Sequence, residues 1–179
     1  MQRAFVLASF VLASVACAAQ TPAQPAIPGL TLPAGVPYLP FGKVNVTFSS
    51  AVSAKSRTLT LELASTPEQQ ERGLMYRTRL TPNGGMLFLN DTLSQGAFWM
   101  KNTLIPLDIV FFDRDGRIND FFAMQPCKAD PCAVYQPNTP YIGAIEMGLG
   151  WFARAGFKVG DKVTFKPVQT ASSVFKPAK

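Results

Sequence analysis

The stretch AFWMKNTLIPLDIVFFD, Ala97 to Asp113, decides the fold: two apolar runs, Phe98-Trp99-Met100 and Leu107 to Phe112, flank a polar break at Lys101-Asn102-Thr103. Trp99, Met100, Ile105, Leu107, Ile109, Val110, Phe111 and Phe112 offer apolar surface for a core, and Lys101 and Asp108 set charges at its edge. Pro106 removes a backbone donor and pushes Ile105 toward extended backbone, so a continuous helix is disfavoured. The stretch reads as strand, bend, strand.

Working outward, Asp113-Arg114-Asp115-Gly116-Arg117 predicts a hairpin closed through Asp-Gly, with Ile118 to Met124 as the returning strand. Asp113-x-Asp115-Gly116 also resembles the start of a calcium loop. The later oxygen ligands and the closing Glu are missing, so the hairpin is preferred. Further on, Tyr135 to Pro140 reads as a polar loop and Tyr141 to Met147 as a strand. Gly148 to Ala155 is a short helical segment stopped by Gly156, and Lys162 to Phe165 is the last strand after a Gly160-Asp161 turn. Upstream, Val44, Val46 and Phe48, and then Thr58 to Leu63, alternate apolar with polar residues as half-buried strands do.

Between these, Ser65 to Gly73 (STPEQQERG) carries the marks of a short helix: Thr66 as N-cap, Pro67 at the first helical position, Gln69 completing a capping box, Gly73 as stop. Its side chains are all polar, so it is expected to cap the domain from outside, anchored by Leu74 and Met75. Pro82 to Gly85 is turn chemistry before a short apolar strand, Met86 to Leu89. The adjacent glycines could admit a phosphate, but no helix start or wider glycine spacing supports that. Many short strands with regular turn signals give a mainly β fold class: a compact barrel or sandwich of short strands with one or two short capping helices.

FWMKNTLIPLDI, read with GLMYR (Gly73 to Arg77), GGMLF (Gly84 to Phe88), Pro126-Cys127, Cys132, Tyr135, Glu146 and GDKV (Gly160 to Val163), closely resembles the bacterial and archaeal domain-of-unknown-function family 192 over Thr58 to Phe165. The resemblance implies a small, mostly β, often exported domain. It brings no established activity and no accepted active-site residues.

The composition narrows the chemistry further. The chain contains no histidine, which removes the commonest general base and transition-metal ligand together. Ser-His-Asp and Cys-His hydrolases, His-ligated zinc and haem attachment are thereby excluded. A core is affordable in size: 179 residues, 47% hydrophobic and 16% charged, fit one globular domain with appendages. The net charge of +6 is dispersed, with no aromatic-basic signature, so nucleic acid is not an expected partner.

Residues 1–19 have the layout of a secretory signal: Arg3, then AFVLASFVLASVA, ending among small residues. Cleavage before Cys17 would allow a lipid on Cys17 and a membrane tether, although Ser14 stands where such signals usually carry Leu. Cleavage after Ala18 or Ala19 would give a soluble secreted protein, and an uncleaved segment would remain as an anchor. Residues 20–40 form a proline-rich linker, 41–168 a single β-rich domain and 169–179 a polar tail. The expected location is extracytoplasmic: periplasm, cell envelope or secreted.

Cys127 and Cys132 form the remaining cysteine pair. Export makes a disulfide the expected state, with a redox pair or metal ligation as alternatives; the spacing and the lack of further ligands weigh against both. No cofactor is implied.

Two functional readings follow. In the first, a non-catalytic module of the cell envelope binds a small polar ligand or an envelope protein through Lys101, Asn102, Thr103, Asp108 and Glu146. In the second, a histidine-independent hydrolase or lyase works on an envelope glycan or polar metabolite, with Asp108 and Glu146 as acid and base and Lys101 stabilising negative charge. A purely structural envelope role is a third. Each residue also has a plainer role: Lys101 as a strand-end cation stacked on Trp99, Asn102-Thr103 as turn residues, Asp108 and Glu146 as local partners. Arg72, Arg77 and Arg79 could line an anion site but are read as surface charge.

Overall fold

The computed structural model describes residues 27–168. The expected signal with Cys17, the first part of the linker and the tail lie outside the described residues. The chain forms β1 (Gly42–Ser49), β2 (Ser56–Ala64), helix α1 (Pro67–Arg72), β3 (Gly85–Ser94), β4 (Phe98–Trp99), β5 (Leu107–Phe112), β6 (Ile118–Met124), β7 (Val134–Tyr135), β8 (Tyr141–Gly148), helix α2 (Trp151–Ala155) and β9 (Lys162–Pro167).

Seven strands make one sheet in the order β6-β5-β8-β3-β2-β1-β9, and β4 and β7 pair as a separate ribbon. Neighbours run antiparallel except β2 and β3, which are parallel and therefore need a crossover; α1 supplies it. The helix is capped as its sequence predicts, with Thr66 accepting from the Gln69 N–H and Gln69 reaching back to the Thr66 N–H. None of its residues is buried, while the following Leu74 is.

β5 sits inside the sheet, and all six of its residues are buried. Its side chains alternate between two cores. Val110 and Phe112 join Val46, Phe48, Ile145, Met147, Trp151 and Phe152 on one face. Leu107, Ile109 and Phe111 join Met86, Phe88, Met100, Met124 and Ala144 on the other. In the first core β1 and β9 pack over β5 and β8, giving a sandwich-like fold. Its outer strands meet at one bridge, Arg117 with Lys162, supported by Ile118 N–H to Asp161 O at 2.8 Å and Val163 N–H to Gly116 O at 2.7 Å. No continuous ladder closes the sheet into a barrel.

The hairpin forms as expected: Asp113 accepts from the Asp115 and Arg117 N–H groups, and Gly116 takes the left-handed conformation at φ 75°. One expectation changes: Trp99 is not a core residue; it is 46% exposed on the β4–β7 ribbon. From Ile27 onward the segment before β1 is tied to the domain. Leu30 bridges to Arg77, the Thr31 N–H donates to Tyr76 O at 3.0 Å, and the Arg72 guanidinium donates to Pro37 O at 3.0 Å. Proline limits the donors this segment can offer, yet its carbonyls remain free to accept. Among the described residues no helix is long and apolar enough to cross a membrane.

Candidate functional site

The polar break after β4 is a tight bend. Thr103 N–H donates to Met100 O at 3.1 Å, and Asn102 takes φ 58°, a left-handed conformation unusual for a residue with a side chain. Tyr76, just after α1, has φ 63°, and no other non-glycine residue described is positive. The two are joined: the Tyr76 N–H donates to Asn102 O at 2.9 Å.

This junction lines a cleft of about 590 Å³ with Tyr38, Arg72, Trp99 and Lys101 around it, and with Met75, Glu68 and Glu71 also contributing. Arg72 lies 5.7 Å from the Tyr76 ring centre and Lys101 5.6 Å from that of Trp99. The expected stacking of Lys101 on Trp99 is therefore present. Lys101 also meets the Asp130 carboxylate at 3.2 Å, but both side chains are largely in water, so the pair holds Lys101 only weakly.

The five residues expected to share a site do not share one. Lys101 and Asn102 line the cleft; Thr103 is buried in the bend. Asp108 is 1% exposed on the first core's face, and its carboxylate accepts the Phe152 N–H at 3.4 Å. It supplies the side-chain acceptor that Gly150, at the start of α2, lacks. Glu146 is buried on the opposite face, in register with Met86 on one side and Ile109 on the other. Burial among these apolar neighbours pushes its carboxyl up to about 8. A sheet thus lies between the two carboxylates proposed as acid and base, and they cannot attend to one substrate from these positions.

Of the arginines read as surface charge, Arg77 is an exception. It is 4% exposed and pairs with Glu62 of β2, which Lys43 also approaches at 3.6 Å. Among the described residues its Nε has no hydrogen-bond partner. This pair belongs to a different, smaller cavity of about 340 Å³, also lined by Lys43, Thr60 and Gly85. A lone guanidinium is costly to bury without a counter-ion, and no local pattern sets Glu62 beside it.

Cys127 and Cys132 form the expected disulfide, and Cys127 N–H reaches Met100 O at 3.4 Å. The same loop carries Asp130, the partner of Lys101. Asp130 also joins the two sulfurs in a cluster of metal-ligand type, but bridged sulfurs are not thiolates. Tyr38, Tyr76 and Arg72 are the cleft residues that sequence reasoning did not place there. Tyr76 lies within the GLMYR motif and Arg72 immediately precedes it, whereas nothing local to Tyr38 signals its position.

Known proteins locate this architecture. The chain resembles a solved structure described as a candidate transcription regulator from Sinorhizobium meliloti 1021, at 33% identity and a TM-score of 0.66, over 72% of this chain and 98% of that one. It also resembles a protein of unknown function from Novosphingobium aromaticivorans DSM 12444, at 33% identity and a TM-score of 0.63, over 78% of this chain and 94% of that one. No curated protein matches it. The model of the family DUF192, described as "Uncharacterized ACR", matches residues 50–165, and with these likenesses it establishes that the chain belongs to domain-of-unknown-function family 192.

Proposed function

We propose that the protein is a non-catalytic binding module of the cell envelope whose site is the cleft at the Tyr76–Asn102 junction. The observation that carries this reading is the pair of left-handed residues. Tyr in that conformation costs on the order of 1–3 kcal/mol, and such strain persists only where the surroundings hold it in place. Here the strained Tyr76 is bonded to the left-handed Asn102, and both line the cleft. A rigid junction of this kind fixes Trp99, Lys101 and Arg72 around an open space, which favours binding over chemistry. The separation of Asp108 from Glu146 argues the same way.

An extracytoplasmic location is part of the proposal. The Cys127–Cys132 disulfide and the signal-like residues 1–19 support it, with either a lipid tether at Cys17 or release as a soluble protein. The description of the Sinorhizobium chain raises nucleic acid as a partner, but the dispersed cations of this chain do not support it.

A thermal-shift screen of the full chain against sugars, nucleotides, other metabolites and metal ions tests the reading, run beside Trp99→Ala and Lys101→Ala. A ligand at a hundredfold over its dissociation constant adds about 2.7 kcal/mol, visible as several degrees. The expected hit weakens in both variants. A hit that neither variant alters, or silence from every class, removes the cleft as the binding site.

A further inference from the structure

We infer that the cleft takes a carboxylated sugar; the inference rests on the binding reading above and adds the ligand's class. Arg72 is the anchor. Its guanidinium donates to Pro37 O at 3.0 Å in a solvent-exposed contact and is set against the Tyr76 ring, and it makes no ion pair among the described residues. Glu68 and Glu71 line the same cleft from exposed positions, yet neither pairs with Arg72, so its guanidinium stays open to a singly charged anion. Lys101 adds a second positive charge, and its exposed partner Asp130 can be displaced at little cost.

The form of the anion follows from the donors available. A planar guanidinium matches a planar carboxylate in a two-point contact. Phosphate can take the same fork, but a phosphate monoester carries close to two negative charges, which Glu68 and Glu71 in the cleft wall repel more than the single charge of a carboxylate. The neutral part of the ligand follows from the rest of the wall. Trp99 offers a half-exposed indole on the β4–β7 ribbon, an apolar plate on which the C–H face of a sugar ring can lie. Asn102 stands beside it with an amide whose only hydrogen bond among the described residues, to the Met75 sulfur, is a weak one at 3.9 Å, leaving it available to hydroxyl groups. A volume of about 590 Å³ lies within the range of small-ligand sites.

The test is a two-dimensional NMR titration of the full chain with D-glucuronate, D-glucose, glucose 6-phosphate and a trigalacturonate, followed at the Trp99 indole. The chain's other tryptophan, Trp151, is buried beside Phe48 and serves as the internal control. Glucuronate or trigalacturonate should move the Trp99 signal and not that of Trp151, with glucose at least tenfold weaker. Arg72→Gln should abolish the preference, and Arg72→Lys should weaken binding while keeping it. Tighter binding of the trimer identifies a polysaccharide source, and equal binding a free acid sugar. Glucose binding as well as glucuronate, or glucose 6-phosphate binding better, overturns the carboxylate assignment and leaves the cleft as a site. Uronate binding that leaves Trp99 unmoved overturns the cleft itself. If none of the four binds, the sugar class is wrong, and the broader ligand screen alone decides the cleft.

Discussion

Asp108 and Glu146 stand on adjacent strands, one step out of register, and point to opposite faces of the same sheet: Asp108 is opposite Met147, and Glu146 is opposite Ile109. Each carboxyl is buried in a different core, and each has its own consequence for stability.

Asp108 holds the start of α2 by accepting the Phe152 N–H. Asp108→Ala leaves that buried donor unmatched and should cost about 1–3 kcal/mol. Urea unfolding measures it. Ligand binding in the cleft should be unchanged, and a stability equal to that of the parent would show that α2 does not depend on this contact.

Glu146 makes stability depend on pH. Burial raises its carboxyl from the ordinary 4.5 to about 8, so between these values the folded state keeps a proton that the unfolded state has lost. Stability should therefore fall as pH rises from about 4.5 to about 8 and level off above. Glu146→Gln replaces the acid with a neutral side chain of the same shape and should flatten this slope, gaining up to a few kcal/mol near pH 8. Parallel denaturation curves at pH 5 and pH 8 decide it; an equal slope in parent and variant would place the pH dependence elsewhere.

Arg77 and Glu62 form a buried pair whose halves need each other. Arg77→Met alone should destabilise by about 3 kcal/mol, because it strands a carboxylate with only the more exposed Lys43 nearby. Arg77→Met combined with Glu62→Leu should recover much of that loss. A double-mutant cycle with no coupling between the two positions would contradict the pairing.

The disulfide fastens the loop that carries Asp130. Replacing Cys127 and Cys132 by serine should cost about 2 kcal/mol by loop entropy, seen as a fall of several degrees in Tm. The fold should survive, since neither core contains the bridge as a buried member. Loss of all structure on reduction, followed by circular dichroism, would mean that the bridge is a fold-maker and not a fastener.

The legible part of the molecule is the part written in short-range pattern. The alternation in Val44, Val46 and Phe48, the Asp-Gly turn, the Thr66–Gln69 capping box and the cysteine pair each depend on residues a few positions apart, and each took the form its chemistry prescribes. Along β8, Glu146 faces away from its neighbours Ile145 and Met147, which lie in the first core, as alternation in a strand requires. Trp99 was misplaced because a large apolar residue signals burial equally well whether its strand joins the main sheet or a small outer ribbon.

By itself, then, the sequence determined most of the elements, though not β7, whose Tyr135 read as loop, together with the absence of histidine chemistry and the family, because propensity, turn geometry and motif are properties of neighbouring residues. Only the tertiary structure decided the site. Alternation says that Asp108 and Val110 share a face, but which face Glu146 shares with β5 depends on the register between strands nearly forty residues apart in the chain. The burial of Arg77 against Glu62 and the meeting of Tyr76 with Asn102 are likewise fixed by packing between distant segments, and no local pattern encodes them.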